Sequence, residues 1–119
     1  MPPRRRTDPA EGRAAVERAL TAETPDPADL RTACRYLCEE LAARAPGRSV
    51  EVRVPPYAAV QAIAGPRHTR GTPPAVIETD PVTWLNLATG RVSWSEALAD
   101  GKVSASGERT DLAPFLPLN

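Results

Sequence analysis

Lysine is almost missing from this chain: Lys102 is the only one in 119 residues, and the other basic side chains are all arginine. Aromatic residues make up 4%, and there are one histidine, one methionine and two cysteines. Each scarcity excludes something. Fifteen basic residues against fifteen acidic ones leave no net charge, with a pI near 6.6. A general nucleic-acid binder would carry a strongly basic face. No apolar run approaches the roughly 18 residues that a membrane-spanning helix needs. Two cysteines cannot make a disulfide framework. Cys34 and Cys38 fall four apart on the apolar side of a helical pattern, where they are poorly placed for a bridge and read as small buried hydrophobes. No second Cys/His pair supplies a zinc signature. His68 has no carboxylate or nucleophile beside it for acid–base work. P-loop, dinucleotide-binding, HExxH and GxSxG patterns are all missing. The expectation is a protein that is not an enzyme and needs neither metal nor cofactor.

What is abundant is alanine, arginine and proline, 14 of the last, the composition of a high-GC bacterial source. The length predicts one domain with one modest core. Residues 1–7, including MPPRRR, read as a disordered basic arm, and residues 8–119 as the domain. No apolar segment follows the arm, so it does not read as a secretory or twin-arginine signal. With reduced cysteines, that points to the cytoplasm.

Asp8-Pro9 opens a helix with a capping acid and a proline at the first helical position. Asp26-Pro27 opens a second, longer one. In it Leu30, Cys34, Leu37 and Leu41 recur at helical spacing. The period then shortens to two: Val50, Val52 and Val54 alternate with Glu51 and Arg53, a half-buried strand. Pro55-Pro56 breaks it, and a weaker alternation through Val60, Ala62 and Ala64 follows as its antiparallel neighbour. GPRHTRGTPP is a loop, and Ala75 to Glu78 a third strand. Asp80-Pro81 opens a helix that carries Trp84, Leu85, Leu87 and Ala88 and stops at Gly90. Ser93-x-x-Glu96 is a capping box, ahead of a short helix with Trp94, Ala97 and Leu98. Lys102 to Ser106 is a strand with Val103 and Ala105 inward. Leu112, Phe115 and Leu116 form a last helical turn before Pro117. The order ααβββααβα predicts an α+β fold, a small, mostly antiparallel sheet covered by helices.

The stretch from Ile77 to Leu118 resembles the C-terminal half of sterol carrier protein domains. The likeness rests on Trp84-Leu85-x-Leu87-x-Thr89-Gly90, on Ser93-x-x-Glu96-Ala97-Leu98, and on Gly101-Lys102-Val103-x-Ala105-x-Gly107. The whole chain is similar to short actinobacterial members of that group, including over EELAARAPGRSVEVRVPP and GPRHTRGTPP. The resemblance implies a five-stranded, mostly antiparallel sheet and an apolar tunnel for fatty acyl chains, sterols or other lipids, with no catalytic constellation. It implies a wall of Trp84, Leu87, Trp94, Leu98, Val103, Phe115 and Leu116, although core packing accounts for each of these equally well. The sheet region is compressed relative to larger carriers, so the cavity should be smaller or absent.

Arg67, His68 and Arg70 beside Gly71 form the most distinctive polar loop. Two guanidiniums and an imidazole between prolines suit a carboxylate or phosphate. A carrier of a lipid or other hydrophobic, possibly anionic, small molecule is the leading reading. Two alternatives stay open: an accessory domain with a filled core and an unidentified protein partner, and a component of a thiol-dependent isomerase-like enzyme. No nucleic acid and no stable membrane insertion are expected.

Overall fold

The computed structural model describes residues 6–65, 75–107 and 111–118. Three helices begin with the same device. In α1 (Pro9–Thr21), α2 (Pro27–Arg44) and α3 (Pro81–Thr89), an Asp caps the helix and proline occupies the first turn. Asp8, Asp26 and Asp80 accept hydrogen bonds from the amides of Glu11, Ala28 and Thr83 respectively. Each carboxylate satisfies an amide that the helix itself cannot pair. Helix α4 (Trp94–Ala99) opens on the capping box: Glu96 N–H donates to Ser93 Oγ at 3.1 Å, and Ser93 N–H to Glu96 Oε1 at 3.2 Å. Gly90 ends α3 in the left-handed conformation, φ 83°, which glycine adopts without a Cβ penalty.

Four strands, β1 (Val50–Val54), β2 (Ala58–Ala62), β3 (Ala75–Thr79) and β4 (Val103–Ser106), form one sheet in the order β2-β1-β3-β4. The β1–β2 and β3–β4 pairs are antiparallel, with Val52 opposite Val60 and Thr79 opposite Val103. The central β1–β3 pair is parallel, with Val52 opposite Ile77. The fold is therefore α+β, with the four strands that the element order predicts; the resemblance implied five, and the sheet is mixed. β2 ends beside Val50 and β3 begins on the other side of Val50, so β3 runs parallel to β1. The final helical element is a single 3-10 turn, η1 (Ala113–Phe115).

Alternation assigns the two faces of the sheet. Val50, Val52, Val54, Ala75, Ile77 and Thr79 are buried. Glu51, Arg53 and Glu78 face the other way, and there Arg53 Nε donates to Glu51 Oε1. Ala105 shares the face of Val103 but is exposed. The expected inward position fails because β4 is an edge strand, and only its first residue is buried. Helix α2 packs on β2 and on α3, and α1 packs on α2. The α1 side of that last contact is made of small residues: Gly12, Ala15 and Ala19 are its buried positions. Tyr36 of α2 lies against Gly12. Arg18 pairs with Asp29 at 3.0 Å across the same junction. Residues 1–5 of the basic arm lie outside the described residues. Its last member, Thr7, donates from its amide and its hydroxyl to the Glu39 carboxylate on α2.

Between α2 and the sheet lies an unusual clamp. Ile63, just past β2, has φ 70°, a left-handed backbone that is an outlier for a β-branched residue. Its amide donates to the Ala45 carbonyl at 2.6 Å. Its carbonyl accepts from Ser49 N–H at 3.0 Å and from Ser49 Oγ at 2.7 Å. Gly47 lies flat against the same peptide.

Candidate functional site

The apolar residues proposed for a wall come from three consecutive elements and the C-terminal segment. Trp84 and Leu87 on α3 are at most 1% exposed, and Trp94 on α4 and Val103 on β4 are buried. Phe115 and Leu116 are half-buried against the same core. Leu98 does not join them; it is 42% exposed. On so short a helix Trp94 and Ala97, three residues apart, define the inward face, and Leu98 is turned about 100° beyond Ala97 toward water. Leu112 and Leu118, which the sequence reading left off the wall, are both buried. The amide of Leu118 donates to the Ala88 carbonyl at 2.8 Å, which binds the C-terminal segment to the end of α3. Arg67, His68 and Arg70 lie outside the described residues.

The interior holds few polar groups. Among the described residues Ser49 and Thr79 are its buried polar ones, and Thr79 Oγ1 donates to the Lys102 carbonyl at 2.8 Å. Among the described residues, one buried side-chain nitrogen or oxygen lacks a hydrogen-bond partner: Trp84 Nε1. Such an orphan costs about 1–3 kcal/mol. A hollow of about 390 Å³ lies elsewhere, at the β1–β2 turn, lined by Arg53, Pro55, Pro56, Tyr57, Ala58 and Ala59. It is open to solvent and none of the wall residues borders it.

Both cysteines are buried on α2. Burial first, and then the charge of Asp80, pushes the Cys34 thiol up to about 12. Burial likewise raises Cys38, helped by Cys34 and Glu39. Neither is a thiolate near neutral pH, and the thiolate is the reactive form. In native protein both thiols should therefore react with an aromatic disulfide reagent only at the rate of unfolding, and at once in denaturant. Fast labelling of either in native buffer would contradict this. At the mouth of α3, Asp80 is a balance. Burial raises its pKa, but the Thr83 hydroxyl and amide, its own amide and the Lys102 charge outweigh that and hold it below the usual value.

The family model described as bacterial SCP ortholog matches residues 26–118. The chain belongs to this bacterial sterol carrier protein-like family. The matched span begins at the cap of α2 and takes in every strand, α3, α4 and the C-terminal turn. Helix α1 precedes it. No curated protein matches the chain. Among the described residues no helix is long and apolar enough to cross a membrane, and no group of three or more His, Cys, Asp or Glu is placed to hold a metal ion.

Proposed function

We propose that this protein binds, and passes on without chemical change, a lipid or another hydrophobic small molecule held in the apolar interior. The observation that carries the reading is membership of the sterol carrier protein-like family over the whole sheet and its helical cover. The interior supports it: Trp84, Leu87, Trp94 and Val103 meet in one contiguous core with few polar groups, the character of sites for apolar ligands. Phe115 and Leu116, half-buried beside it, complete the proposed wall. Arg67, His68 and Arg70 are proposed as contacts for an anionic head group, because guanidinium forks match carboxylate and phosphate oxygens. In this reading the protein works in the cytoplasm and is not an enzyme.

Native mass spectrometry of gently purified protein should show a retained apolar ligand. A fluorescent fatty acid should bind the wild type, and Arg67→Ala/Arg70→Ala should weaken it by roughly a hundredfold, since two charge-assisted bonds are lost. Equal affinities would dispose of the anion contact. Failure of any apolar probe to bind or exchange would dispose of the carrier. One observation favours a second reading, an accessory domain with a filled core: Trp84, Leu41, Ile77, Leu87 and Leu112 are already fully buried without a ligand. Complete absence of ligand uptake, together with a co-purifying protein, would be its signature.

A further inference from the structure

Trp84 sits at the middle of α3 with no exposed surface. Its indole offers one donor and no acceptor, and that donor is unpaired. Buried polar groups are paired in the great majority of cases, so each exception calls for an explanation. Among the described residues no side chain is at hand as its partner. The hydroxyls of the two buried polar residues are engaged elsewhere, Ser49 with the Ile63 carbonyl and Thr79 with the Lys102 carbonyl. A buried water would need two to four polar partners. Among the described residues Trp84 Nε1 is the one unpaired buried side-chain nitrogen or oxygen, so a water there would have to take its other partners from the backbone.

We propose that Trp84 Nε1–H is the hydrogen-bond donor for a neutral oxygen on the bound apolar molecule: an ester or ketone carbonyl, or a hydroxyl. The inference rests on the carrier reading and narrows its ligand class. The neutrality follows from the surroundings. Every described arginine, and Lys102, is exposed, so a carboxylate brought to Trp84 would be buried without a counter-charge, which is strongly unfavourable. An oxygen that keeps no charge meets the indole at little cost. A plain hydrocarbon would leave the donor orphaned. The site thus separates oxygen-bearing lipids from alkanes by one hydrogen bond.

Three probes of equal chain length decide the matter: methyl palmitate, the palmitate anion and the matching alkane, each competed against a fluorescent alkyl probe. Wild type should prefer methyl palmitate to the alkane. Trp84→Phe keeps an aromatic ring but removes the donor, and should lose roughly tenfold more affinity for methyl palmitate than it loses for the alkane. Equal losses for ester and alkane would overturn the donor role. An equal loss for the palmitate anion would overturn the restriction to neutral oxygens. Should Trp84→Phe fail to fold, the wild type answers alone. With its indole nitrogens labelled by ¹⁵N, the Trp84 N–H proton should move downfield on saturation with methyl palmitate and not with the alkane. An unmoved resonance rejects the proposal while leaving the carrier intact. If wild type takes up none of the three probes, the carrier reading fails and this inference with it.

Discussion

Gly47→Ala should lower the unfolding free energy by about 3–5 kcal/mol, as overpacking and backbone strain add together. A Cβ at this position would lie 2.2 Å from both the carbonyl carbon and oxygen of Ile63, and 2.4 Å from the Ala64 nitrogen. These are backbone atoms, so no side chain can rotate away. The φ of 151° at Gly47 adds strain that alanine tolerates poorly. The Ile63 peptide cannot retreat without losing its bonds to Ala45 and Ser49. A domain of this size has about 5–15 kcal/mol to lose. The urea midpoint should fall with the slope unchanged. A loss below about 1 kcal/mol would mean that the clamp yields more easily than its hydrogen bonds indicate.

Trp84→Ala is the second large effect, with an expected loss of about 3–5 kcal/mol from transferred area and the cavity left behind. Trp84→Phe should cost at least 2 kcal/mol less, roughly, because it fills most of the space and deletes a donor whose burial is itself unfavourable. Urea unfolding of the two variants without ligand checks this. Equal losses would show that ring volume is not what Trp84 contributes. On the carrier reading, ligand should stabilise the wild type with the logarithm of one plus its concentration over Kd, since it binds only the folded state.

The helix boundaries were readable because their causes are local. Asp8-Pro9, Asp26-Pro27, Asp80-Pro81 and Ser93-x-x-Glu96 each satisfy their own amides within a few residues. The first strand was readable from Val50, Val52 and Val54, because one side of the sheet meets water. The family likeness over the last third was readable for the same reason: it is a string of stop and start signals. What escaped depends on partners distant in the chain. An isoleucine ending a strand-like run gives no sign that its φ is positive; Ala45, Gly47 and Ser49 impose it. The parallel pairing of β1 with β3 joins residues some 25 apart in the chain, such as Val50 and Ala75. Leu98 looks as apolar as Ala97, and only the orientation of α4 against the core separates them. The unpaired indole of Trp84 is the extreme case, because it is defined by what its neighbours do not offer.

The seam between α1 and α2 has a consequence for how the chain can vary. Gly12, Ala15 and Ala19 hold α1 in place by letting backbone meet side chain closely, not by inserting bulk. A Cβ at Gly12 would already fall 2.4 Å from the Tyr36 ring. Substitution there is therefore one-directional: larger side chains act as wedges, while shrinking is impossible. Val16 and Leu20, half-buried at the margin of the core, have room to drift among apolar types. In a collection of natural variants, α1 should show its invariance in its smallest residues and its freedom in its largest.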